Sequence, residues 1–200
     1  GQGLRLWQEA GVDRLPADEL VEHRLTVTTD AWGTVYRHVV VVPAELADLP
    51  RIGVLLTLPA CFDRVRWFGR GPHENYPDRA ASAMLGTWES ALDESPHLVP
   101  QEFGLRTDCR WFELADSAGG ETFVVEPLGP TSVHVSATHH LPADLFAAAT
   151  ATDLRRRDEV VVCVDAAHRG LGTASCGPDV LPQYRIGTGR FEFAYRLSVR

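Results

Sequence analysis

Two-residue alternation of apolar and polar side chains constrains this chain more than any other feature. From Arg190 to Arg200, Phe191, Phe193, Tyr195, Leu197 and Val199 fall on one side. Arg190, Glu192, Arg196, Ser198 and Arg200 fall on the other, with only Ala194 neutral. A helix cannot hold that pattern on one face, whereas a strand buried on one side requires it. The same reading predicts strands at Leu25–Thr29, Val35–Val42, Val54–Leu58, Val65–Phe68, Arg110–Leu114, Thr122–Glu126, Ser132–Thr138 and Val160–Val164. Val39–Val42 is apolar on both sides and belongs inside a sheet. Turn-forming clusters separate the strands: Pro43, Pro50, Gly69 to Pro77, Ser117 to Gly120, Leu128 to Pro130, and Gly170 to Pro182. Helical patterns are scarce. Asp144–Thr150 reads as a short helix capped by Asp144, Leu4–Val12 is a weaker candidate, and Gly86–Gly104 reads as a long crossing loop. Many short strands with few short helices predict an all-β fold, a large antiparallel β-sandwich. No composition shift divides the 200 residues into two domains.

Charge and cysteine usage narrow the function classes. The net charge is −8, which argues against nucleic acid and anionic membrane as partners, since both need a basic footprint. No apolar run approaches a membrane span, and no basic-then-apolar leader opens the chain. Cys61, Cys109, Cys163 and Cys176 form no C-x-x-C pair, and no histidine stands at zinc-finger spacing. Cys163 sits in the apolar run Val160–Val164 and reads as a small buried hydrophobe. Reduced thiols and a cytoplasmic setting follow. All 19 basic residues are arginine, and Asn75 is the sole asparagine; this reflects GC-rich coding and makes Asn75 stand out.

Asn75 lies in the densest polar turn of the chain, Gly71-Pro72-His73-Glu74-Asn75-Tyr76-Pro77-Asp78-Arg79. Glu74, Asn75, Tyr76, Asp78 and Arg79 bring five hydrogen-bonding side chains within six residues. Such a turn either meets a polar ligand or closes on its own backbone, with Asp78 and Arg79 as cap and ion pair; the second is the commoner use. The other informative stretch is the glycine-rich loop Gly170–Asp179, which contains Ser175, Cys176, Gly177, Pro178 and Asp179 and follows His168. Long loops on rigid β scaffolds are where binding residues collect.

No constellation dictates a reaction. Glycoside hydrolysis needs two carboxylates about 5–5.5 Å apart for retention or about 6.5–9.5 Å for inversion. Glu74, Asp78, Glu102, Asp108 and Asp179 are candidates, but no spacing selects a pair. Adjacent His139 and His140 would face opposite ways on a strand, which argues against a shared metal. Gly-x-Ser-x-Gly is absent, and Gly69-Arg70-Gly71 lacks the strand-to-helix context of a phosphate loop. Trp67 and Trp111 fall in strand-like segments and read as core, while Trp88 falls in the irregular region.

The turn resembles the GP-x-E-N-Y-x-D-R signature of the C-terminal domain of lac-type bacterial β-galactosidases, glycoside hydrolase family 2. Three further segments follow that family in order. Leu6-Trp7 through Leu15 resembles W-x-x-A-G-x-x-x-L, Glu102–Arg106 with Arg110-Trp111 resembles E-x-G-x-R…R-W, and Asp165 through Pro178 resembles D-x-x-x-x-G-x-G…S-x-x-P. The resemblance implies a supersandwich of the galactose-mutarotase-like type that begins without the family's usual N-terminal start. It implies no catalytic residue, metal or cofactor in this chain. The two catalytic glutamates, with magnesium and sodium, lie on a separate barrel domain in the family. It implies the remaining β-galactosidase domains and a galactoside substrate as partners, and leaves assembly of the full enzyme into a homo-oligomer open. Substrate contact would come from the loop residues Ser175 to Asp179, and His168, placed beside that loop, is the histidine that could join them, with Gly71 to Arg79 as a structural turn. In the best-known members a tryptophan of this loop stacks on substrate; its position falls on Cys176, which cannot replace a stacking ring. Two alternatives stand beside this: a carbohydrate-binding module with no chemistry, or a free-standing aldose 1-epimerase on the same fold, with His134 or His140 opposed to Glu126 or Asp165.

Overall fold

The computed structural model describes residues 21–46, 48–92, 97–130, 132–173 and 177–200. Eleven strands are present among them: β1 Glu22–Asp30, β2 Gly33–Val42, β3 Arg51–Leu58, β4 Arg64–Gly71, β5 Met84–Ala91, β6 Arg106–Cys109, β7 Trp111–Ala115, β8 Thr122–Pro127, β9 Val133–Thr138, β10 Val160–His168 and β11 Gly189–Val199. One short α-helix, α1, covers Pro142–Ala147, and single 3-10 turns cover Ala44–Leu46, Ala151–Asp153 and Pro182–Tyr184. The strands form a seven-stranded sheet in the order β1-β2-β11-β8-β7-β4-β5 and a four-stranded sheet in the order β3-β10-β9-β6, with the pairings antiparallel. The all-β sandwich expected from the alternation is therefore the observed fold. No helix of the described residues is long and apolar enough to cross a membrane.

The core fills the space between the two sheets. Val65 and Trp67 of β4, Phe112 and Leu114 of β7, Phe123 and Val125 of β8, and Phe193 and Tyr195 of β11 meet Val133 and Val135 of β9 and Val160, Val162 and Val164 of β10. These are the inward members of period-two patterns, so each strand's alternation decides its contribution. Val160–Val164 is buried at every position. Its second face lies beneath covering segments, which explains why that run is apolar throughout. A smaller cluster, Val42, Leu49, Ile52 and Ile186, closes one end.

The two ends of the sandwich differ. At one, the chain turns at Arg110 from β6 in the small sheet to β7 in the large one, and the Arg110 N–H donates to the Phe68 carbonyl at 2.8 Å. At the other, the larger sheet overhangs the smaller. There β1 is exposed along its whole length, with Leu25 46% and Val27 50% exposed.

Four sequence expectations need correction. Gly86–Gly104 is not wholly a crossing loop, because Met84–Ala91 pairs with β4 as an edge strand. Its exposed positions mix Leu85 and Ala91 with Thr87 and Glu89, and its half-buried side carries Gly86, Trp88 and Ser90, which weakens its signal. Trp88 lies in this strand, half-buried, and its Nε1–H donates to the Gly69 carbonyl at 3.2 Å. Trp111 is half-buried rather than core, because Phe112 and Leu114 take the inward positions of β7. The helix begins at Pro142 rather than Asp144, and the Asp144 carboxylate reaches back to the Leu141 N–H at 2.8 Å from the third helical position. The Leu4–Val12 helix lies outside the described residues.

Candidate functional site

The polar turn leaves the end of β4 and folds over the outer face of the small sheet. Asn75 anchors it. Its side chain is fully buried; Nδ2 donates to the Arg70 carbonyl at 3.1 Å and the His73 carbonyl at 3.0 Å. Its Oδ1 accepts from the Thr107 N–H at 3.2 Å and from the Thr107 hydroxyl. The Asn75 N–H donates to Leu105. Glu74 accepts the Gly104 N–H at 2.7 Å. Gly71 and Pro72 are joined by a cis peptide. The Arg79 N–H closes the turn on the Tyr76 carbonyl at 2.8 Å, and its guanidinium lies 5.9 Å from the Tyr76 ring.

Asp78 does not act as the partner of Arg79. Its two carboxylate oxygens accept the backbone N–H groups of Leu171, at 3.0 Å, and Gly172, at 2.7 Å. The polar turn and the glycine-rich loop, read separately in the sequence, are one structure. A Cβ on Gly170 would lie 2.7 Å from Asp78 Cγ and from Val180 Cγ2, so only glycine allows this approach. The base of the loop is closed from both sides. The Thr173 N–H and hydroxyl donate to the Pro178 carbonyl, and Arg169 joins Asp48 to Asp179, at 2.6 Å and 2.9 Å. The Arg169 guanidinium, hydrogen-bonded to the Asp179 carboxyl, holds it below the usual carboxylate range. Gly177 packs toward Thr173. Ser175 and Cys176 lie outside the described residues.

His168, at the end of β10, is buried. Its Nδ1–H donates to the Arg169 carbonyl at 2.7 Å, its ring meets the Tyr76 ring edge-on at 5.5 Å, and Nε2 lies 3.7 Å from Glu102. Beneath it runs a buried ionic cluster. Arg51 contacts Asp165 through Nε and Nη2, the latter at 2.5 Å, and lies 3.6 Å from Glu102. Asp165 is 1% exposed. Burial raises its pKa and the Arg51 charge works the other way. Burial also opposes the Arg51 charge, but Asp165 and Glu102 outweigh it and keep the guanidinium protonated. Burial would raise Glu102, yet the His168 hydrogen bond and Arg51 bring it below its ordinary range. Gly53 makes room for the pair, because a Cβ there would lie 2.0 Å from Asp165 Oδ1 and 2.5 Å from the Val164 carbonyl. The Tyr76 hydroxyl points into this buried region without a hydrogen-bond partner among the described residues, and burial lifts its pKa well above the usual value.

Beside the cluster is an open groove of about 490 Å³, between the polar turn, β6, β9 and the Pro182–Tyr184 turn. Arg70, Asp78, Asp108, His134 and Tyr184 line it. Asp108 holds a left-handed conformation, φ 57°, within the irregular pairing of β6 with β9. It pairs with Arg70 at 2.6 Å, and its N–H donates to His134 Nδ1 at 3.3 Å. Burial depresses His134 to about 4. The imidazole is therefore neutral, and its proton sits on Nε2.

Of the carboxylates singled out in the sequence, Glu74, Asp78 and Asp179 accept from backbone amides, Glu102 faces Arg51 and His168, and Asp108 pairs with Arg70. The histidine–acid pairs considered for epimerase chemistry meet a similar obstacle. His134 and Asp165 are cross-strand partners, but Asp165 is occupied by Arg51; Glu126 instead pairs with Arg196 at 2.6 Å. The residues this reading missed are Arg51 and Asp165 as a buried pair and Arg70 with Asp108 as the groove's charge pair. Each joins distant strands, and no local spacing announces it.

Comparison with known families places this architecture. Residues 8–197 match the family described as β-galactosidase small chain. The chain belongs to the β-galactosidase small-chain family. A β-galactosidase of Vibrio cholerae is 34% identical over 160 residues, covering 78% of this chain and 15% of the relative. One from Arthrobacter sp. strain B7 is 32% identical over 193 residues, covering 92% of this chain and 18% of the relative. One from Priestia megaterium is 38% identical over 133 residues, covering 65% and 13%. This small-chain domain thus spans less than a fifth of the length of these relatives.

Proposed function

We propose that this small-chain domain is the non-catalytic C-terminal sandwich of a β-galactosidase, an enzyme that hydrolyses terminal β-D-galactose residues. It packs on the catalytic portion and lends the 170–179 loop to the wall of the sugar pocket. The family match over residues 8–197 carries this reading. The geometry supports it in two ways. A glycosidase needs one carboxyl free to give a proton and another free to attack or to activate water. The candidate acids here are committed to amides or arginines, which supports a reading in which the catalytic glutamates lie in the rest of the enzyme. In addition, Asp78 and the Arg169–Asp179 pair fix the base of the loop on a rigid sheet, as a pocket wall requires.

Among the described residues no three His, Cys, Asp or Glu side chains converge on one point. The magnesium and sodium that the resemblance implies for the full enzyme would be held outside this chain. Cys61, Cys109 and Cys163 are free thiols, which supports a cytoplasmic setting. The test is reconstitution. The purified chain gives no turnover of a nitrophenyl β-galactoside, and activity appears when the remainder of the polypeptide is supplied. Hydrolysis by the chain alone would overturn the assignment.

A further inference from the structure

We propose that the open flank of the sandwich, between the outer edge of β3 and the overhanging β1, receives one extended strand from the remaining polypeptide of the enzyme. The proposal deepens the reading above and rests on it. β1 alternates as a strand does when one side is buried. Glu22, Arg24, Thr26, Thr28 and Asp30 fall on one face, and Leu25 and Val27 fall on the other. The register fixes which face is which. Leu25 lies beside His38 and Val27 beside Tyr36, and these lie beside Phe193 and Tyr195 of the core. Cross-strand partners share a face, so Leu25 and Val27 continue the core surface of the large sheet. Yet they stand 46% and 50% exposed. The opposite lip of the flank is in the same condition: Val54, Leu56 and Leu58 of β3 pack against the core but are only half-buried.

The edge decides the form of the occupant. Among the described strands β3 pairs with β10 alone, so a row of its backbone N–H and C=O groups faces the flank. Natural edges are shielded by charged side chains or proline. After Arg51, β3 reads Ile-Gly-Val-Leu-Leu-Thr-Leu, with neither. β1, the edge of the large sheet, carries Glu22, Arg24 and Asp30 and is shielded. Neighbouring strands lie about 4.7–4.9 Å apart and stacked sheets about 10 Å apart. A strand added to β3 therefore lies in the layer opposite β1. Its backbone pairs with the β3 edge while its inward side chains cover Leu25 and Val27, a form of strand addition. A helix in that place would cover the apolar face and leave the β3 groups unpaired.

A second copy of the domain does not fit the flank. An antiparallel β3–β3 pair would drive two overhanging β1 strands into the same space before the edges met. The occupant is a strand with no overhanging layer of its own, apolar at every second residue on the side toward β1. Chain to supply it is ample, since this domain covers less than a fifth of its relatives.

The experiment is amide hydrogen exchange on the full chain, alone and mixed with the remainder of the polypeptide. Exchange across Arg51–Leu58 should slow by about tenfold or more on association. Leu25→Glu combined with Val27→Glu places two carboxylates where the strand lands and should weaken association by about a hundredfold. Thr26→Glu, on the opposite face of β1, should leave it within about threefold. The two positions of the double variant are already about half exposed, so its melting temperature without the partner should match the parent, which separates lost docking from lost fold. Three results would overturn the proposal while reconstituted hydrolysis stands: association with β3 exchanging as in the free chain, equal affinity of the double variant and Thr26→Glu, or protection of β3 before any partner is added. Absence of both association and activity would overturn the assignment above and this proposal with it.

Discussion

Asp78 and Gly172, 94 positions apart in sequence, are joined by a 2.7 Å hydrogen bond from the glycine N–H to the carboxylate. The neighbouring Leu171 N–H makes a second at 3.0 Å. The most polar turn of the chain thus acts as a clasp on its most glycine-rich loop. Asp78→Ala removes a charged acceptor from two amides and should destabilise the domain by about 2–3 kcal/mol in urea unfolding. Asp78→Asn keeps one acceptor oxygen and should lose about half as much.

Asn75 gives a sharper test because an isosteric change reverses half of its hydrogen bonds. In Asn75→Asp, a carboxylate oxygen replaces Nδ2 and faces the Arg70 and His73 carbonyls in a fully buried position. The expected loss is about 3 kcal/mol or more, exceeding that of Asp78→Asn. Equal losses by chemical denaturation would show that Asn75 does not donate to those carbonyls.

Two glycines separate close packing from open space. Gly170→Ala drives a methyl against Asp78 and Val180 and should cost about 1–3 kcal/mol. At Gly187 an added Cβ meets nothing within 4 Å, so Gly187→Ala should stay within about 0.5 kcal/mol of the parent. Thermal melts of both variants make the comparison.

Acid should weaken the fold before its carboxylates titrate. Burial depresses His38, His134 and His140, the second to about 4. Between the ordinary histidine value near 6.5 and about 4, the unfolded chain binds more protons than the native one, so stability falls as pH falls through that window. A melting series from pH 7 to pH 4 should show the decline, and His134→Gln should flatten it.

The core strands were legible because one-sided burial imposes alternation. The rule extends to Trp111, where burial of Phe112 and Leu114 demands an outward ring; lying in a strand-like segment does not by itself say which face a residue takes. Met84–Ala91 escaped notice because an edge strand has little to bury, with Met84 and Leu85 exposed. Asp144 was recognised as a helix-start residue, but Pro142, suited to a first helical position, set the boundary. The importance of Asn75 was visible from its rarity and neighbours. The partner of Asp78 was not, since a side chain that reaches backbone amides about ninety residues away leaves no trace in local spacing. The Arg70–Asp108–His134 groove is assembled from β4, β6 and β9 and exists only once the sheet order is set.

The unequal widths of the two sheets also set an order of events in time. Amide hydrogens of β10, flanked by β3 and β9 and buried on both faces, should be the last to exchange with solvent. Those of β1, bonded to β2 alone and exposed along its length, should be among the first. The domain should therefore open like a book from the overhanging β1 side, hinged at the β6–β7 corner. The loop, clasped by Asp78 after β4 and by Asp48 before β3 through Arg169, is tied to both sheets' connections and should exchange more slowly than β1.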